Sequence, residues 1–303
     1  MNILIIGLGS IAKKHIAALK TIGADATIYA LRSSSDAEEF EDVRNIRSLD
    51  ELPVTPDFVI ISNPTHLHFS SIEKVLPLKC PLFIEKPVVR TEEEAEKIMM
   101  LLRGDAVTYV ACVLRHHPCL QFVREHLAET KKQINEVNSY CGSYLPDWIP
   151  DKDWQKSFRF DPAQSGGVHM ELIHEMDYLF WLFGKPSAVS HTLRNVSSLR
   201  MPAVDYAHSV LTYDAFSATI TLNYYRKDSK RTVEILFEDE TWIVDLLQSS
   251  IKAGEKELFS SSLTMTDLYS SQMRYFLHCL ETGEKPIISA QEACDVLHLT
   301  LHE

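Results

Sequence analysis

The chain opens on an unbroken apolar run, Asn2–Ile6, that meets a glycine turn at once. A short continuous apolar run bounded by a turn signal reads as a strand of a buried parallel sheet. Comparable runs recur at Ala26–Leu31, Phe58–Ser62, Leu82–Ile84 and Val107–Leu114. Stretches of helical spacing lie between them: Ala12–Ile22, with Ile16, Ala17, Leu19 and Lys20 following the turn, then Ser70–Leu76 and Glu92–Leu102. Strands and helices in alternation predict a doubly wound α/β sheet.

Further along, the pattern changes. Val168–Phe183 reads as one helix, entered from Ser165-Gly166-Gly167 and stopped by Gly184-Lys185-Pro186. Beyond residue 186 the period becomes two, most cleanly over Phe216–Tyr224, and Thr232–Phe237 and Thr241–Leu246 continue as strands. One face of the 216–224 strand carries Ser217, Thr219, Thr221 and Asn223. A polar but uncharged sheet face suits a subunit interface, with plain solvent exposure as the alternative. Leu268–Leu280 reads as a helix whose stripe of Tyr269, Met273, Phe276 and Leu277 belongs to a core.

The candidate chemistry sits at the strand ends. In Gly7-x-Gly9-x-x-Ala12 the first glycine permits the tight turn and the second lets a pyrophosphate approach the backbone. The small Ala12 allows close helix packing, and the helix amino terminus, with Ser10 and Ile11, then faces the anion. After the second strand, where an acid would hold the ribose hydroxyls of NAD, stand Arg32 and then Ser33, Ser34, Ser35 and Asp36. A guanidinium with hydroxyls suits a 2′-phosphate, so NADP is expected, with NAD left open through Asp36. Asn63, Pro64 and His68 belong to a loop expected over the cofactor, with His68 capping or packing on the next helix. His66-x-His68 lacks a neighbouring carboxylate or cysteine and is a poor ligand set, so no metal is expected. Glu85-Lys86-Pro87 follows the fourth strand, which puts Glu85 and Lys86 where ligands bind in such a sheet. At helical spacing Glu171 can reach His174, and a carboxylate beside an imidazole orients it and raises its basicity; a surface ion pair is the plainer reading. Arg115, after the fifth strand, and Trp148 and Trp154, in a loop rich in proline and aspartate, are candidate substrate contacts.

In their order and spacing these motifs resemble the glucose-fructose oxidoreductase / inositol dehydrogenase / rhizopine-catabolism family. The resemblance runs from Gly7-x-Gly9-x-x-Ala12 through Asn63-Pro64-Thr65-His66-Leu67-His68, Glu85-Lys86-Pro87 and Leu114-Arg115-His116-His117-Pro118 to Gly166–Asp177 and Leu182-Phe183-Gly184. It implies an α/β Rossmann domain followed by an α+β domain with a large, mostly antiparallel sheet. It also implies NAD or NADP, and substrates that are sugars, polyols or their derivatives. On that basis Lys86 lies beside nicotinamide and substrate, and His174 is the general acid/base. The family's usual aspartate before this histidine is replaced here by Glu171, one methylene longer. Tyr144–Trp148, Asp151–Trp154 and Glu171–Tyr178 look like a bacterial branch tied to surface-glycan biosynthesis, which implies a glycan-precursor substrate.

Length and composition narrow the picture. The 303 residues, 45% of them hydrophobic, suffice for two domains, expected at 1–115 for the dinucleotide and 116–303 for substrate binding and oligomerisation. A net charge of −12 argues against nucleic acid or an anionic membrane as partner. The six cysteines show no CxxC spacing, and several stand in apolar runs, which predicts reduced thiols in the cytoplasm. The apolar opening lacks a basic leader, and no run is long enough to span a bilayer. The expectation is therefore an NAD(P)-dependent sugar oxidoreductase, a homodimer or homotetramer, in which Lys86 and His174 converge on one carbinol carbon. An NAD-dependent glycoside hydrolase of the same fold and a non-catalytic sensor of dinucleotide or sugar are the rival readings.

Overall fold

The computed structural model describes residues 1–32, 39–40, 42–102, 107–148 and 153–302. They form two compact units: Met1–Val113 with Thr264–Leu297, and Leu114–Leu263 with His298–Glu303.

In chain order the first unit contributes β1 (Asn2–Ile6), α1 (Ser10–Thr21), β2 (Thr27–Leu31), β3 (Val43–Ile46), β4 (Phe58–Ile61), α2 (His68–Val75), β5 (Leu82–Ile84), α3 (Glu92–Leu101) and β6 (Thr108–Val110). The strands form a six-stranded sheet in the order β3-β2-β1-β4-β5-β6, and every neighbouring pair is parallel. Strand order reverses between β1 and β4, so a crevice opens beyond their carboxyl ends. The apolar runs are continuous because both sheet faces are covered: Ile3, Leu4, Ile5, Phe58, Val59 and Ile60 are all fully buried. The edge strand β3 has no counterpart among the expected strands, because Arg44 and Asn45 interrupt its apolar pattern. On α1 the buried face is Ala12, His15, Ile16, Ala18 and Leu19, while Ala17 and Lys20 are exposed.

The second unit adds α4 (Pro118–Glu129), β7 (Ile134–Tyr144), α5 (Val168–Glu171), α6 (His174–Phe183), β8 (Ala188–Arg194), β9 (Tyr206–Thr212), β10 (Ser217–Asn223), β11 (Tyr225–Phe237), β12 (Thr241–Asp245), β13 (Ser250–Ala253) and β14 (Lys256–Ser260). Its eight-stranded sheet runs β14-β13-β12-β11-β7-β10-β9-β8. Only the β7–β10 pair is parallel. On β10, Ala218, Ile220 and Leu222 are buried. The opposite face is tied across strands by polar side chains. Thr219 Oγ1 donates to Asn138 Oδ1 at 2.7 Å, Asn223 Nδ2 donates to Tyr140 OH at 2.7 Å, and Thr221 Oγ1 lies 3.0 Å from His208 Nδ1.

The chain then returns to the first unit through α7 (Met265–Thr282) and most of α8 (Ala290–Leu301). The α7 stripe is core, as its spacing predicts, but the core is that of the parallel sheet. Met273 and Phe276 pack with Ile3, Ile5, Ile16, Phe58, Ile60 and Phe83. Phe276 meets Phe58 and Phe83 edge-on at 5.1 and 5.3 Å. That packing is why the first unit is not one continuous stretch of sequence.

Candidate active site

The carboxyl ends of β1, β4 and β5, neighbours in the sheet, bring three segments together. Gly7 follows β1 with φ +90°, and a Cβ there would lie 2.5 Å from the backbone of Asn63. Both observations require glycine. Gly9 differs: its backbone is extended and a Cβ would meet nothing within 4 Å, so the space above it is open. Gly9 caps α1 without a side-chain hydrogen bond, and the first turn holds no acid. The first N–H groups of α1, from Ser10 and Ile11 on, thus start a helix with an open cradle, which fits a dinucleotide pyrophosphate. Ser62 supports the turn by donating to Gly7 O at 2.9 Å, and Asn63 Nδ2 donates to Ser71 Oγ at 2.8 Å. Pro64 is exposed beside them. Arg32 leaves the end of β2 with Nη1 3.4 Å from Asn45 Oδ1. Ser33 lies outside the described residues, as do Ser34, Ser35 and Asp36.

Glu85, expected on the cofactor, and His68, expected to cap or pack on the next helix, both turn inward. Glu85 is buried, with Oε1 2.6 Å from His15 Nε2 on α1, while its Oε2 accepts the Lys86 N–H at 3.2 Å. His68 is buried with Nε2 2.9 Å from Asn63 O and Nδ1 2.9 Å from Pro87 O. Burial lowers the His68 pKa against the pull of these carbonyls. A neutral imidazole has one N–H, so only one of these two carbonyls accepts from it at a time, and the ring sits between the Asn63 segment and the segment after Lys86 rather than reaching outward. Lys86 itself is half-buried and precedes a cis peptide to Pro87.

In the second unit, the expected single helix is two. α5 ends at Glu171 and α6 begins at His174, with Leu172 and Ile173 between. The halves are held by different partners. Val168 N–H donates to Val204 O at 2.8 Å, and Glu171 pairs with Arg159 at 3.0 Å. On α6, Glu175 pairs with Arg231 at 2.7 Å and Asp177 with Arg115 at 2.6 Å. His174 is buried at the start of α6. Glu171, expected to orient it, thus has a guanidinium to hold as well.

Arg115 is buried: its side chain is 0% exposed and engages both oxygens of Asp177, so the guanidinium braces α6. Trp148 donates Nε1 to Ser143 Oγ at 2.9 Å, stands edge-on to Tyr224 at 5.6 Å, and has the Arg159 guanidinium 5.6 Å from its ring. Trp154 packs edge-on against Phe160 at 5.5 Å. Arg159 escaped sequence reading because nothing in Phe158-Arg159-Phe160 marks it. His15 did carry a signal, since it is the one polar residue in the buried stripe of α1.

A doubly wound parallel sheet with an open glycine turn at its switch point defines a dinucleotide-binding protein. Residues 1–111 match the oxidoreductase family with the NAD-binding Rossmann fold, and residues 122–243 match the GFO/IDH/MocA C-terminal domain. The chain belongs to this GFO/IDH/MocA oxidoreductase family, with an NAD(P)-binding first domain. It is 29% identical over 138 residues to levoglucosan dehydrogenase of Pseudarthrobacter phenanthrenivorans, a match covering 45% of this chain and 35% of that one. It is 25% identical over 256 residues to D-xylose 1-dehydrogenase (NADP(+)) 2 of Haloferax volcanii, covering 80% and 75%. Among solved structures, levoglucosan dehydrogenase in complex with NADH superposes with a TM-score of 0.86 at 15% identity over 99% of this chain and 95% of that one, a likeness of fold.

Proposed function

We propose that the protein is an NAD(P)-dependent oxidoreductase acting on a CH–OH group of a sugar or sugar derivative, a glycan precursor included. The observation that carries this reading is Lys86 at the end of β5, in the same row of strand ends as the open Gly9 cradle. The dehydrogenase names of the sequence relatives support the substrate class. Bound at the cradle, the nicotinamide cofactor supplies the hydride acceptor or donor. Lys86 places its ammonium on the reacting oxygen and stabilises charge developing there. His174 moves the hydroxyl proton, and Glu171 orients it. The second unit binds the substrate, with Trp148 and Trp154 as ring-stacking candidates.

Arg32 carries the preference for NADP. The test is a turnover assay with NAD and NADP against aldoses, polyols and nucleotide sugars, following nicotinamide reduction. NADP should be used at lower concentration than NAD, and Arg32→Ala should narrow that difference. Tighter NAD binding that Arg32→Ala leaves unchanged would refute the preference. Glycoside cleavage without net cofactor reduction would favour the hydrolase reading.

The sheet face of Asn138, Thr219 and Thr221 supports a homo-oligomer, a dimer or tetramer assembled on it. Light scattering of Thr219→Arg, which sets a charge in that face, should show a lower mass than the parent. A parent that is monomeric at micromolar concentration disproves this assembly. Among the described residues no disulfide joins the buried cysteines, which supports a cytoplasmic setting, and no helix is long and apolar enough to cross a membrane.

A further inference from the structure

We infer that His15 is a positioning residue for Lys86, acting through Glu85; the inference rests on the oxidoreductase reading above. His15 is 0% exposed and Glu85 7%, and they meet at 2.6 Å although they are 70 residues apart. A carboxylate at such a place needs partners, because an unpaired buried charge is strongly unfavourable. Carboxylate oxygens only accept, so the proton of this contact sits on His15 Nε2. The donor direction is set by packing: the imidazole stands edge-on to Phe83 at 4.9 Å and to Tyr269 at 5.7 Å.

The second oxygen gives the pair its consequence. Glu85 Oε2 accepts the backbone N–H of Lys86 at 3.2 Å. The carboxylate therefore joins a fixed ring on α1 to the peptide that carries the lysine. On the far side, His68 at the start of α2 has Nδ1 2.9 Å from Pro87 O and 3.3 Å from Val88 O. The residues flanking Lys86 thus each lie against a buried imidazole, the Glu85 carboxylate against His15 on α1 and the Pro87 carbonyl against His68 on α2. A core pair with a purely structural task would contribute stability alone. A pair with one oxygen on the Lys86 N–H also determines where the ammonium starts from, and displacement of a catalytic group by about 1 Å can lower a rate about 100-fold.

The test compares His15→Gln, whose amide Nε2 can still donate to Glu85, with His15→Phe, which keeps the ring but not the donor. In the full-length protein, exchange of the Lys86 amide proton should be at least about tenfold faster in His15→Phe, a loss of about 1.4 kcal/mol of protection, and near the parent in His15→Gln. Turnover should fall about 10- to 100-fold in His15→Phe with dinucleotide affinity nearly unchanged, and recover in His15→Gln. In a Lys86→Ala background, His15→Phe should lower kcat no further. Parent-like exchange at Lys86 in His15→Phe, or a fall in stability with kcat intact, would overturn the inference. If the parent turns over no sugar, the oxidoreductase reading fails, while the exchange measurement still decides whether His15 holds Lys86. Should His15→Phe not fold, Glu85→Gln, which keeps the side-chain shape and removes the charge, reads the same coupling.

Discussion

His174→Ala should lower kcat by about 10²–10⁴-fold, the contribution typical of a positioned general acid/base. Dinucleotide affinity should hardly change, because the glycine cradle belongs to the first unit and His174 to the second. Lys86→Ala should likewise reduce kcat with little effect on binding, since in the proposed role its ammonium stabilises charge on the reacting oxygen. Glu171→Gln should lose less than either, because the amide keeps the shape and an acceptor oxygen. Its pairing with Arg159 at 3.0 Å adds a structural task that the same variant disturbs. Steady-state kinetics with a fluorescence titration of the dinucleotide separates these effects. A His174→Ala enzyme with parental kcat would remove this histidine from the chemistry.

The largest stability effect should come from Asp177→Asn or Arg115→Ala. The two side chains are 0% and 1% exposed and share contacts of 2.6 to 3.2 Å. Removing one partner leaves the other charge buried and uncompensated, which costs about 3–5 kcal/mol. Replacing both, as in Arg115→Met with Asp177→Leu, should lose much less, because the desolvation of both charges disappears with them. Urea denaturation of the single and double variants measures this. If the double variant is as unstable as the singles, the pair is not behaving as a buried ion pair.

The parts of this protein that were legible in the sequence are those encoded by neighbouring residues. A parallel strand buried on both faces must be a continuous apolar run, so β1, β2, β4 and β5 stand out. The Gly7–Ala12 turn is local for the same reason, and its backbone needs are written in the residue types themselves. The alternation along β10 likewise reports a sheet with one covered face. The strand β3 went unread because its polar residues are paired at a sheet edge rather than packed in a core.

What the tertiary structure alone decided is the pairing of distant charges and the break in a helix. Local pattern supports one helix across 168–183, and only the separate anchoring of α5 by Arg159 and of α6 by Arg115 and Arg231 accounts for two. Arg115 follows a strand end and reads as an anchor for ligand; Asp177, 62 residues away, makes it a brace. Glu85 stands beside Lys86 in sequence and shares its expected role, yet a carboxylate next to a buried imidazole 70 residues distant turns into the core. Hydrophobic periodicity says which face of an element is covered. Which buried charge meets which depends on how elements far apart in the chain are packed, and no local spacing carries that information.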